Sequence, residues 1–250
     1  MAEHTSWFDY AFPLPAWEAA IRERFGFDLP LAALLAAVFV ALLVVAASLA
    51  VRRRVADPQK AIVPDADLSL RTLFELVVDA TYGMMKSIMT PHAARHFLPL
   101  VGTAAFFILT ANLLGLVPGF VPPTATMGIS AAGAIIVFLT THVFGLREHG
   151  FGYFKHFVGP IRKWYALPLM LLMLGIELIS HAVRPVSLSI RLTANMFADH
   201  AVVGAFYDLV AWSIPIPVMT LGILVCIVQT LVFCLLSTIY ISMAIAHEEH

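Results

Sequence analysis

The stretch LPLAALLAAVFVALLVVAASLAV, residues 29–51, contains no ionisable side chain and is broken only by small residues. At about 1.5 Å per residue it spans the roughly 30 Å hydrocarbon core of a bilayer. It is too long, and lies too deep in the chain, for a secretory signal segment. The whole composition agrees with it. Of 250 residues, 60% are hydrophobic and 12% charged, against roughly 45–50% and 25% in soluble proteins. Mean hydropathy is +0.89. A soluble fold of this composition would lack the charges to cover its surface. The sequence therefore reads as an integral membrane protein. A net charge of −1 suggests no nucleic-acid partner. Cys226 and Cys234 share one apolar run and form no metal pattern.

Flanking charges orient this first span. An acidic arm, residues 1–28, carries Glu3, Asp9, Glu18, Glu23 and Asp28, and Arg52-Arg53-Arg54 follows the span. The positive-inside rule puts the arginines in the cytoplasm and the N-terminus outside. Residues 56–67 are a linker with Pro58 and Pro64. Residues 68–89 have helical periodicity, with Leu70, Leu73, Leu76 and Val77 on one side and Arg71, Glu75 and Asp79 on others. Too charged to span, they predict an amphipathic helix on the cytoplasmic membrane surface; a solvated connector helix is the other reading. A helical hairpin occupies 96–146. His96 to Val117 ends at Pro118-Gly119, and Met127 to Leu146 returns to a basic loop with Arg147, Lys155, Arg162 and Lys163. The remainder, 164–246, predicts two helices of about 40 and 29 residues, some 60 and 43 Å long. These exceed the membrane thickness and must tilt, kink or extend beyond it. The C-terminus falls in the cytoplasm. The whole is one all-α membrane domain without internal repeat.

The first of these long helices is apolar overall, yet holds Glu177, His181, Arg184, Arg191, Asn195 and Asp199, with His200 beside the last. Their separations of 4, 3, 7, 4 and 4 residues place them on one helical face over about 33 Å. Ionisable groups inside a span are costly and point to function. Taken singly, Arg184 could snorkel to an interface, Glu177 could simply pair with His181, and Asp199-His200 could sit among outer headgroups. None of these accounts for Arg191. Arg184, seven residues before it, is also cationic, and Asp199 lies eight residues after it. The last helix, Val218 to Ala246, has no acid. A guanidinium keeps its proton at ordinary pH, so its counter-charge belongs on another polypeptide. Gln229 on the last helix needs a hydrogen-bond partner, and Asn195 or a water is the natural choice.

The run Arg184-Pro-Val-Ser-Leu-Ser-Ile-Arg191-Leu-Thr-Ala-Asn195-Met-Phe-Ala resembles the signature of subunit a of the F-type ATP synthases, the stator channel of their membrane sector. Asn112-Leu-Leu-Gly-Leu-Val-Pro118, Leu73-Phe-Glu-Leu-Val, Gln229 and Ile239-Tyr-Ile-Ser-Met-Ala resemble other parts of that family, so the likeness covers residues 68 to 250. The resemblance implies a proton-translocating subunit with no cofactor or metal, lying against a ring of c subunits and the peripheral-stalk b subunits in a bacterial inner membrane. By position, Arg191 corresponds to the essential arginine that faces the ring carboxylates. Asn195 and Gln229 correspond to residues of the outer half-channel, with Asn112 and Ser130 along the same path. Glu177 and His181 correspond to the inner opening.

Three departures stand out. Thr193-Ala194 replaces Phe-Gly. Asp199-His200 stands where Gly-Glu is frequent. Gly222 occupies a place where some members carry histidine, and leaves room for the acid and imidazole on the facing helix. No Gly-x-x-x-x-Gly-Lys occurs, so this chain does not itself handle ATP. A membrane metalloprotease is disfavoured by the lack of His-Glu-x-x-His and the 19 residues separating His181 from His200. A standalone ion-coupled transporter is the alternative function, and would bring inverted repeats that are not seen.

Overall fold

A computed structural model describes residues 7–25, 30–55, 69–117, 119–150, 152, 167–209 and 215–245. The expected linker at 56–67, the basic positions Lys155, Arg162 and Lys163, and the terminal 247–250 lie outside the described residues. Helices α1 (Trp7–Ala11) and α2 (Leu14–Phe25) form the N-terminal arm. Then come α3 (Leu31–Val55), α4 (Leu70–Ile88) and α5 (Pro91–Gly115). A 3-10 turn (Pro123–Ala125) precedes α6 (Met127–His149), α7 (Leu167–Leu209) and α8 (Pro215–Ile245). Among the described residues, five stretches are long and apolar enough to cross a membrane: α3, α5, α6, Met170–Val202 of α7 and Met219–Ile245 of α8.

The arm is tied to the end of the bundle where α5 turns into α6. The Trp7 amide donates to the Gly119 carbonyl at 3.0 Å, and Phe8 and Phe39 both pack on Phe120. Glu18 Oε1 accepts from the Leu31 amide at 2.7 Å, placing a carboxylate on one of the orphan donors that open α3. On α3 only the small-residue side is covered: Ala33, Ala36 and Val40 are buried, whereas Leu42, Val45 and Leu49 are exposed. That is the arrangement of a helix whose outer face is solvated by lipid.

Helix α4 is the predicted amphipathic segment. Ser69 caps it by accepting the Thr72 amide. It packs lengthwise and antiparallel on α5. Phe74 stacks on Phe106 with centroids 4.4 Å apart, and Tyr82 OH accepts from Arg95 Nε at 3.1 Å. Its covered side differs from the expected grouping. Val77 and Met85 pack in the cluster of Ala94, Phe97, Val101 and Ile241, while Leu70, Leu73 and Leu76 stay exposed. The two sets are separate because positions i, i+4 and i+8 point one way and i, i+3 and i+6 drift from it. Arg71 is buried and ion-paired to Glu75 at 2.7 Å.

Helices α7 and α8 are longer than their apolar runs, 43 and 31 residues. They are antiparallel. The Arg184 guanidinium lies over the Tyr240 ring near one end, and Asp199 lies against Gly222 near the other. A second core, formed by Ile108, Ala134, Val137, Leu188, Leu192 and Phe233, locks α7 to α5, α6 and α8. This core holds the polar stripe of α7 at the α7–α8 seam.

Candidate functional site

Leu188, Leu192 and Met196 are buried and define the side of α7 that faces the bundle. At about 100° per residue the polar stripe runs along one edge of that side, within reach of α8 and α6. At its centre, Arg191 is exposed. Among the described residues it forms no ion pair or hydrogen bond, unlike Arg184, whose guanidinium sits 5.2 Å from the Tyr240 ring centroid. Along the axis Arg191 is about 12 Å from Asp199 and about 15 Å from His181.

One turn from Arg191, Asn195 Nδ2 donates to Gln229 Oε1 at 2.6 Å. The pairing expected from sequence is therefore direct. Gln229 is only 3% exposed, and its Nε2 has no hydrogen-bond partner. A buried donor left this way costs about 1–3 kcal/mol, which an adjoining water or a passing ion would relieve. Thr193 Oγ1, the hydroxyl added at the departure from the family pattern, is likewise buried without a partner.

Farther along α7, two glycines make space for side chains. A Cβ at Gly222 would lie 3.0 Å from Oδ2 and 3.4 Å from Oδ1 of Asp199. A Cβ at Gly115 would lie 3.0 Å from Nε2 of His200 and 2.6 Å from Pro122. Gly222 thus accommodates the acid, as expected, but the imidazole uses a different glycine, on α5. The reason is angular. Consecutive residues on a helix diverge by about 100°, so Asp199 reaches α8 while His200 reaches the end of α5. Asn112 and Ser130 are joined through a residue not singled out in the sequence. Thr124 Oγ1 donates to Asn112 Oδ1 at 2.7 Å, and Ser130 Oγ donates to the Thr124 carbonyl at 2.6 Å. Asn112 is 1% exposed, and its Nδ2 lacks a partner.

Near the other end of the stripe, His181 Nε2 and Glu177 Oε1 are 3.1 Å apart. The His181 ring meets His142 of α6 edge-on, with centroids 5.2 Å apart. His142 was legible by the same rule as the stripe, being an ionisable group inside a span. Thr124 carried no comparable signal: a threonine after two prolines reads as turn chemistry. Among the described residues no group of three His, Cys, Asp or Glu side chains could hold a metal ion. Cys226 and Cys234 are buried free thiols.

Two groups of polar side chains thus lie along one helix, separated by a permanent cation, Arg191, that has no ionic partner among the described residues. A family model described as ATP synthase A chain matches residues 32–242. A protein of Syntrophotalea carbinolica described as ATP synthase subunit a 2 is 49% identical over 181 residues, covering 72% of this chain and 74% of its own. ATP synthase subunit a of Sorangium cellulosum is 44% identical over 191 residues, 76% of this chain and 73% of its own. That of Geobacter sulfurreducens is 44% identical over 172 residues, 69% and 72%.

Proposed function

Because the chain belongs to the ATP synthase A chain family, and so is the multi-pass proton-channel subunit of that enzyme's membrane sector, we propose that it moves protons through two offset half-channels. The observation that carries this reading is Arg191, exposed on α7 and without an ionic partner among the described residues. A permanent charge in apolar surroundings requires a counter-ion. A carboxylate on a rotating ring of c subunits supplies it.

Protons enter from outside past Asp199, His200, Asn195 and Gln229, with Asn112 and Ser130 along the same path, and protonate a ring carboxylate. The two partnerless amide nitrogens, Asn112 Nδ2 and Gln229 Nε2, fit groups that contact water intermittently. Once neutral, the ring site can travel through lipid, where an ionised carboxylate would be very costly. After nearly a full turn it loses its proton toward Glu177 and His181. Arg191 then holds the bare carboxylate ionised and repels protons that would cross directly. Each elementary charge crossing 100 mV releases roughly 2.3 kcal/mol, which rotation delivers to catalytic subunits elsewhere. The N-terminus lies outside and the C-terminus in the cytoplasm, the chain sits in a bacterial inner membrane, and b subunits of the peripheral stalk hold it against rotation. No cofactor takes part; the proton is cargo.

The test is Arg191→Ala in the assembled complex. Coupled ATP synthesis is lost, and its retention would refute the assigned role. Arg191→Lys also fails largely, since a compact ammonium does not reproduce a planar, five-donor fork.

A further inference from the structure

The half-channel reading places Glu177 and His181 on the inner path. Resting on it, we infer that His142 of α6 is a further proton-relay residue, exchanging protons with His181. Three observations converge. The two imidazoles meet edge to face at 5.2 Å between centroids, close enough for transfer through one water. Their hydrogen bonds fix complementary tautomers. His142 Nδ1 donates to the Phe138 carbonyl at 2.9 Å, so its neutral ring carries the lone pair on Nε2. His181 Nε2 donates to Glu177 Oε1 at 3.1 Å, so its lone pair is on Nδ1. Finally, a cavity of about 10 Å³ is lined by Thr141, His142, His181, Arg184 and Tyr240 among others. That is the least space that holds a single water.

The proton balance is simple. A proton first taken up on His142 Nε2, making that ring an imidazolium, passes to His181 Nδ1 while the proton on His181 Nε2 passes to the Glu177 carboxylate. His142 is then back in its starting tautomer, and His181 returns its remaining proton from Nδ1 to Nε2 before the next transfer. No bond to a heavy atom forms or breaks. The titratable and charged groups that share the cavity with His142 are His181 and Arg184 of α7 and Tyr240 of α8, with Glu177 on the Nε2 of His181. On its own helix His149 lies seven residues on, on the same face and about 10 Å nearer the inner end. Removing one imidazole of the pair therefore changes how the inner path responds to pH.

The test uses the assembled ATP synthase in vesicles, with the pH of the two faces varied separately. His142→Phe keeps an aromatic ring against Phe138 and His181 but cannot carry a proton. Its synthesis rate falls by about tenfold, less than the roughly hundredfold of a sole acid–base group because Glu177 and His181 remain. Its dependence on inner-face pH changes across the imidazole range, while its dependence on outer-face pH stays that of the parent. An unchanged inner-face profile, or an equal change at both faces, overturns the inference and leaves His142 a packing residue. Should His142→Phe fail to assemble, His142→Gln is read the same way. Arg191→Ala separates the two ideas. Coupling retained there refutes the half-channel reading itself. Coupling lost there, with a parental inner-face profile in His142→Phe, refutes only the relay.

Discussion

Gly222 offers a graded probe of the outer path. In Gly222→Ala the new Cβ would sit 2.7 Å from Leu116 Cδ2 and 3.0 Å from Asp199 Oδ2. The first contact is with the far end of a flexible side chain, and moving it costs about 0.5–1.5 kcal/mol. The helix gains about 1 kcal/mol when alanine replaces glycine. These nearly cancel, so stability changes by less than about 1 kcal/mol, a shift of the thermal midpoint no greater than about 4 °C. The carboxylate, by contrast, must withdraw by a few tenths of an ångström. Gly222→Leu fills the space outright and displaces it. Proton-driven ATP synthesis in vesicles therefore falls modestly in Gly222→Ala and severely in Gly222→Leu, with the loss dependent on outer-face pH. If the glycine acts by housing the acid, combining Gly222→Leu with Asp199→Asn adds little to either change alone. Parental synthesis rates in Gly222→Leu, or fully additive losses, would refute the reasoning.

Two other predictions concern the hydrogen-bonded groups. In a double-mutant cycle of Asn195→Ala and Gln229→Ala, the coupling should be about 0.6 kcal/mol and at most about 1.7, the mean and maximum for interhelical hydrogen bonds in membranes, read from unfolding in detergent. A value indistinguishable from zero would mean that the 2.6 Å contact holds nothing together. Thr124→Val keeps the side-chain shape but removes the donor to Asn112 Oδ1. It should lower stability by about 1–3 kcal/mol, measured by thermal unfolding, with a larger loss than the same change at Thr140, whose hydroxyl makes an exposed hydrogen bond to the Ile136 carbonyl.

The hydrophobic runs were readable because lipid cannot hydrogen-bond a backbone, so every span must be a helix of sufficient apolar length. Their ends were less so. Helix α5 begins at Pro91 rather than His96, because Thr90 and Pro91 supply an N-cap and a preset first turn. Helix α7 continues to Leu209, beyond the apolar run. The side of α4 that the bundle covers was also not legible, since an amphipathic pattern identifies a stripe but not its occupant. In the site, Arg191 and the Glu177–His181 pair stood out from spacing alone. Thr124 and the glycine that receives His200 did not.

From its sequence alone this protein is a set of membrane helices with one polar face, and a lone arginine there calls for a partner's charge. Those conclusions need only helical periodicity and the cost of placing charge in hydrocarbon. Which neighbours the stripe touches was decided by packing. Asn195 meets Gln229 across 34 residues of chain, and His181 meets His142, 39 positions earlier. Such pairings depend on the rotation and offset of whole helices, which the buried contacts of Leu188, Leu192 and Phe233 set together. No local pattern encodes them, because each is the result of many small side-chain fits satisfied at once.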